Sequence, residues 1–184
     1  MKKIIFSLIT IMMLISPIYA KAESKNEVTI YMFRGNTCPH CEEALEYLKS
    51  HEEEIPKDIK FLTYEVYDNS KNNDLLQRIE KKLNFKEDDI GSIPLFVVGN
   101  EYVLGYSSAA DLKKVFNLAE SAKDSDDYED IVSKEIKDSN LKVNSVSIEK
   151  LIAGPNKVVT IIVFGIFGAI VLGFGAMIIF SRKN

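Results

Sequence analysis

The stretch Val28-Thr29-Ile30-Tyr31-Met32-Phe33-Arg34-Gly35-Asn36-Thr37-Cys38-Pro39-His40-Cys41 decides how the chain is read. An apolar, β-prone run over Glu27 to Phe33 comes first, then a polar turn at Gly35-Asn36-Thr37, then a Cys-x-x-Cys pair. Behind it, Glu42-Glu43-Ala44-Leu45-Glu46-Tyr47-Leu48-Lys49 puts Ala44, Leu45 and Leu48 on one helical face, and the helix should run to about His51. Thr37 or Cys38 can cap it, with Pro39 in the first turn, where its missing N–H breaks no helical bond. A dithiol at a helix start, just after a strand, is where a thiol–disulfide exchange centre would sit.

Cys38 and Cys41 are the only cysteines of the chain. As a structural staple they would close so short a loop that little entropy leaves the unfolded chain. A zinc site needs four ligands, and besides the cysteines only His40 and His51 offer nitrogen. His40 lies between the two cysteines, awkward for chelation, and His51 falls at the far end of the same helix, where it reads as a surface or helix-end residue. No metal and no cofactor is expected, and redox chemistry is the leading reading. The thiolate is the attacking species. Cys38 stands where the free N–H groups of the first helical turn point, and a helix N-terminus favours negative charge. His40 can add a hydrogen bond or a positive charge, and Cys41, one turn on and shielded, is the resolving thiol. The candidate catalytic residues are therefore Cys38, Cys41 and His40.

Outward from the dithiol the pattern alternates. Ile59 to Tyr67 reads as a second strand; Asp68-Asn69-Ser70 is a turn and cap before a helix over Asp74 to Leu83, where Leu75, Leu76, Ile79 and Leu83 recur at helical spacing. Ser92 to Val98 is a third strand with Pro94 near its start, Gly99-Asn100 a hairpin turn, and Glu101 to Leu104 a fourth strand. Gly105 breaks the pattern, and Ser107 or Ser108 can cap a last helix carrying Leu112, Val115, Phe116 and Ala119. The order is β-α-β-α-β-β-α, an α/β fold over residues 27–119. From 120 to 157 the apolar density falls and the run Lys123 to Asp130 is acidic, which reads as a juxtamembrane linker with a short helix around Ile131 to Ile136.

The two ends differ from this middle. Lys2 and Lys3 precede an uncharged apolar run from Ile4 to Tyr19, and Ala20-Lys21-Ala22 fits a small-x-small cleavage pattern, so residues 1–22 read as a signal peptide, cleaved or retained as an anchor. Val158 to Phe180 carries no charge; as a helix at ~1.5 Å per residue it covers roughly 34 Å, enough for a bilayer core of ~30 Å. Arg182 and Lys183 follow, placing the tail 181–184 in the cytoplasm and the middle of the chain outside. Gly165, Ala169 and Gly173 recur every four residues, as in closely packing membrane helices, though such residues are common in any spanning helix. The expected location is the cell membrane, single-pass, with the domain on the extracytoplasmic side. A net charge of −4 leaves no basic footprint, so nucleic acid is not an expected partner.

Cys-x-x-Cys opening the first helix and Ile93-Pro94 opening the third strand resemble the thioredoxin superfamily. Val28-Thr29-Ile30-Tyr31 before Cys38-Pro39-x-Cys41, and Gly105-Tyr106-Ser107-Ser108 before the last helix, look like glutaredoxins in particular. The Pro39-His40 dipeptide is that of the exported DsbA-type oxidants. The resemblance implies a thioredoxin-like fold with a central mixed sheet flanked by helices, and a cis Ile93–Pro94 bond that packs beside the dithiol and offers the Ile93 backbone to a substrate chain. On residue physics alone, a trans proline at a strand start is the favoured reading, and the resemblance is what favours cis. Three departures stand out. The span between strands two and three is too short for the helical subdomain of DsbA-type proteins; Met32 falls where thioredoxins keep a buried acid; and Thr37 replaces their usual Trp. Glu65 is either a substitute proton acceptor for Cys41 or a surface-facing strand residue.

These readings converge on a membrane-anchored, extracytoplasmic thiol–disulfide oxidoreductase. Its expected partners are exported proteins with thiols or disulfides, a membrane redox partner, and the membrane itself through the C-terminal helix. Pro39-His40 favours oxidation of substrates. The alternatives are a disulfide reductase recharged by a membrane electron carrier, and a non-enzymatic thioredoxin-fold binding module.

Overall fold

A computed structural model describes residues 24–153. The segments expected as signal peptide (1–22), transmembrane helix (158–180) and tail (181–184) lie outside them. Among the described residues no helix is long and apolar enough to cross a membrane.

Strand β1 (Thr29–Arg34) is buried along its whole length. Ile30 and Met32 enter one apolar cluster, Tyr31 and Phe33 the other. A strand covered on both faces reads as a continuous apolar run rather than an alternation, because neither face meets water. β2 (Lys60–Glu65) pairs parallel to β1, with Thr29 opposite Lys60 and Arg34 opposite Glu65. β3 (Leu95–Val98) lies antiparallel on the other side, Phe33 opposite Leu95. β4 (Glu101–Leu104) returns from β3 through Gly99-Asn100, the expected hairpin.

Helix α1 (Pro39–Ser50) and helix α3 (Ala109–Ala122) cover the Ile30 and Met32 face with Ala44, Leu48, Leu112 and Val115. Helix α2 (Ser70–Lys82) covers the opposite face with Leu75, Leu76 and Ile79. It starts four residues before the expected Asp74: the Asn69 side chain accepts the N–H groups of Lys71 and Asn72, each at 3.1 Å, and a polar cap leaves no trace in apolar periodicity. The result is an α/β fold with a central mixed sheet between helical layers, consistent with the thioredoxin-like arrangement.

Of the expected linker 120–157, the described part, to residue 153, is folded against the domain, and the short helix expected around Ile131 to Ile136 is present. After α3 the chain forms α4 (Ile131–Ser139), β5 (Val146–Ser147) and α5 (Ile148–Ile152). β5 pairs antiparallel with β2, giving the sheet order β4-β3-β1-β2-β5. Ile131 and Val132 join the cluster under α2, and Ile148 and Ile152 join the one under α1. Much of what docks this segment is polar, hence its low apolar density. Tyr31 Oη donates to Asp130 Oδ2 at 2.7 Å and lies 2.8 Å from Ser133 Oγ. Buried Asn72 donates to the carbonyls of Glu65 and Asn144, both at 2.8 Å, and accepts the Asn144 N–H at 3.0 Å. Glu135 on α4 pairs with Arg78 at 3.2 Å and Lys82 at 3.1 Å on α2. Within the acidic run, Asp130 caps α4 by accepting the Ser133 N–H at 2.9 Å, and Asp126 pairs with Lys25.

Candidate active site

β1 and β2 run parallel and end together at Arg34 and Glu65, so the turns that follow them lie side by side. The Glu65 carboxylate accepts the backbone N–H groups of Tyr67 and Asp68, both at 2.9 Å, and that of Asn36 at 3.4 Å. Arg34 Nη1 donates to Asn36 Oδ1 at 2.8 Å, and Asn36 Nδ2 donates to Asp68 Oδ2 at 3.2 Å. Burial lowers the Arg34 pKa, with Glu65 acting in the opposite direction. A Cβ at Gly35 would run into the Tyr67 ring, which packs directly over the glycine and would have to shift. The turn leading into the dithiol is thus braced against the turn after β2. Glu65 serves that brace.

The dithiol is oxidised: Cys38 and Cys41 are joined as a disulfide, with Cα atoms 5.2 Å apart. Cys38 is the N-cap of α1, and its Sγ accepts the Cys41 N–H at 3.2 Å. Pro39 follows in the first turn, where the sequence places it. Cys38 is 6% exposed and Cys41 0%, so solvent and any partner reach the pair through Cys38. The helix N-terminus directs its unpaired N–H groups and positive dipole end toward that sulfur, which favours the thiolate once the bond opens. His40 is exposed, with Nδ1 3.4 Å from Glu43 Oε2.

Facing the pair, the Ile93–Pro94 peptide bond is cis, the isomer that the resemblance implies. Pro94 is buried and Ile93 half-buried. The Ile93 carbonyl oxygen lies 3.8 Å from Cys38 Sγ. The Pro94 carbonyl accepts the Gly105 N–H at 2.7 Å, tying the start of β3 to the end of β4. Beyond Gly105, half-buried Tyr106 packs against the apolar cluster that contains both cysteines. Burial raises the Tyr106 phenol, helped by Glu43 and Asp111. Ser108 caps α3 in a capping box with Asp111, whose carboxylate accepts the N–H groups of Ser107 at 2.9 Å and Ser108 at 3.2 Å.

Met32 is fully buried in the same cluster as Cys41. Where a thioredoxin places a carboxyl, this chain places a thioether with no proton to exchange. All five sequence-derived residues (Cys38, His40, Cys41, Ile93 and Pro94) lie on the elements around one disulfide: the first turn of α1 and the approach to β3. The Gly35–Tyr67 contact and the Glu65 brace escape sequence reading, because each joins residues about thirty positions apart through a loop.

A disulfide at the N-terminus of a helix, its first cysteine at the edge of the core and its second wholly buried, beside a cis-proline at a strand start, defines a thiol–disulfide oxidoreductase domain in general terms. Residues 28–103, which include both cysteines and Pro94, match the glutaredoxin family model. No curated protein and no solved structure matches the chain.

Proposed function

We propose that the protein is a membrane-anchored oxidoreductase outside the cytoplasmic membrane that takes electrons from the thiols of exported proteins. The observation that carries this reading is the asymmetry of the pair, with Cys38 at the edge of the core, 6% exposed beside Ile93–Pro94, and Cys41 wholly buried behind it. A substrate thiolate attacks Cys38 Sγ; the Cys38–Cys41 bond breaks, a mixed disulfide forms on Cys38, and Cys41 leaves with the electron pair and takes a proton. A second substrate thiolate attacks the substrate sulfur of the mixed disulfide and expels Cys38 as a thiolate, held by the helix N-terminus. Two electrons pass to the protein for each substrate disulfide made. Re-oxidation needs a two-electron acceptor, for which a membrane redox partner is the candidate. Cys38, Cys41 and His40 are the proposed catalytic residues, and Ile93 and Pro94 the proposed substrate contacts.

Topology supports the anchored reading. β1 enters, and α5 leaves, at the Lys60 end of β2, because β5 runs antiparallel to β2. The dithiol follows the opposite end of β1, about 20 Å away for a six-residue strand. β1 thus begins, and β5 ends, at the end of the sheet opposite the dithiol. The short connection from β2 to β3, which holds α2 and one turn, favours the opposite electron flow, a reductase recharged through a membrane carrier, since it lacks the helical insertion of DsbA-type oxidants.

The test is trapping in intact cells. Cys41→Ala leaves Cys38 a lone thiolate that runs the exchange in reverse, attacking disulfides of exported proteins; with no Cys41 to displace the substrate sulfur, mixed disulfides on Cys38 should accumulate, while Cys38→Ala accumulates none. Absence of adducts, or adducts made only with cytoplasmic proteins, would refute the reading.

A further inference from the structure

The irregular segment from Asn84 to Ser92 joins α2 to β3 and delivers Ile93–Pro94 to the dithiol. Its only regular piece is the short turn Glu87–Asp89, which buries no residue. Asn84 and Gly91 sit at positive φ, +55° and +78°. Such a segment depends on outside contacts to fix its path. At its start the Phe85 ring packs on Tyr102 of β4 with centroids 4.6 Å apart, and the Phe85 N–H donates to the Glu80 carbonyl at 3.0 Å. At its end the tie is a side chain: Glu80 Oε1 accepts the Gly91 N–H at 2.7 Å.

Glu80 is an unusual residue for this place. It is 2% exposed, and its second oxygen, Oε2, is buried without a hydrogen-bond partner. Burial pushes its carboxyl above the ordinary range, and the Gly91 N–H acts in the opposite direction. Holding a carboxylate out of water with one oxygen unsatisfied opposes folding. The neighbouring cleft of about 600 Å³, lined by Leu76, Gln77, Lys81, Phe85 and Ile90 along with Glu80, gives the segment room to shift if released. What the acid supplies in return is a charge-assisted bond to Gly91. Gly91 lies two residues before Ile93, whose carbonyl contacts Cys38 Sγ.

We infer that Glu80 is a positioning residue for disulfide exchange: by holding the Gly91 N–H it fixes Ile93–Pro94 against the dithiol, in register to receive an extended peptide beside Cys38. This rests on the thiol–disulfide reading above. Glu80 touches no reacting atom. It acts through the backbone from Gly91 to Pro94, so its loss should weaken the docking of a polypeptide substrate and leave attack by a small dithiol unaffected.

The experiment uses the full chain in mild detergent, as wild type, Glu80→Leu and Glu80→Gln. It records kcat and KM for a cysteine-containing peptide, the exchange rate with dithiothreitol, and amide hydrogen exchange over residues 85–94. Glu80→Leu should raise the peptide KM by about tenfold and speed amide exchange over 85–94 by a similar factor, the size of one lost hydrogen bond to a charged group. Its rate with dithiothreitol should stay at the wild-type value. Glu80→Gln keeps an acceptor for Gly91 and should restore both KM and protection. A Glu80→Leu variant with wild-type KM and protection would overturn the inference, as would a parallel fall with dithiothreitol or a glutamine variant no better than leucine. A wild-type protein inert toward both reagents would refute the redox reading instead, and hydrogen exchange would still decide whether Glu80 holds the segment.

Discussion

Replacing Ile148 by alanine tests whether the segment after α4 belongs to the domain. Ile148 is fully buried, in the cluster that also holds Cys41, Leu48 and Phe61, and it follows directly on β5. The change removes three carbons at ~0.8 kcal/mol each, roughly 2.4 kcal/mol of transfer free energy. A cavity adds to this when the surroundings relax only in part, which brings the cost to about 3–4 kcal/mol, within the range for Ile→Ala in cores. With a urea slope of about 1–3 kcal/mol per molar, the unfolding midpoint should fall by roughly 1–4 M. The assay is equilibrium urea unfolding of the full chain in mild detergent, followed by far-ultraviolet circular dichroism. Ile90→Ala is the control, since Ile90 is 55% exposed and its loss should matter by less than about 0.5 kcal/mol. If Ile148→Ala shifted the midpoint no more than Ile90→Ala does, residues 146–152 would not share the cooperative core, and the expectation of a linker would return.

Two further outcomes follow from single side chains. His40→Ser removes an imidazole adjacent to Cys41 and two residues from Cys38 on the exposed turn, and should lower the reduction potential by about 30–60 mV, equivalent to ~1.4–2.8 kcal/mol, read by equilibration with glutathione redox buffers. Asp111→Ala removes the carboxylate that accepts the Ser107 and Ser108 N–H groups, and should destabilise the fold by about 1 kcal/mol near neutral pH. Those bonds, first that from the Ser107 N–H, hold the Asp111 pKa below its ordinary value. A depressed carboxyl stabilises the fold above its unfolded pKa and loses that contribution as pH falls through the folded value. The gap between wild type and Asp111→Ala should therefore be flat above about pH 5 and close as pH falls below ~4, as urea midpoints taken across that range will register.

The elements around the dithiol were readable because each announces itself locally. β1 is a continuous apolar run, α1 has Pro39 in its first turn and Ala44 and Leu48 on one face, and Gly99-Asn100 marks the hairpin between β3 and β4. Of the segment from Ile131 to Ile152, the short helix around Ile131 to Ile136 was readable, and its docking and the elements after it were not. α4 buries Ile131, Val132 and Glu135, and the last of these is held by Arg78 and Lys82 from another helix. β5 is two residues long and α5 five, shorter than the period that either pattern needs to show itself. Their docking depends on Tyr31, Thr63 and Asn72, residues that look like ordinary strand and helix positions until the chain is folded. At the site, the cysteines and Pro94 carry their chemistry in their identity. Glu65 and Glu80 do not, because a glutamate in a strand or helix is usually a solvated one, and only the fold brings their carboxylates to backbone N–H groups.

The most direct measurement is the reduction potential of the Cys38–Cys41 couple in the full chain. A thiolate favoured by the α1 N-terminus, beside Pro39-His40, makes the disulfide a ready oxidant, and the expected value is near or above about −150 mV. A value near −270 mV, that of thioredoxin, would keep the exchange chemistry and reverse the direction of electron flow. A value below about −300 mV, typical of structural disulfides that resist the glutathione pool, would contradict the assignment of Cys38 and Cys41 as an exchange centre.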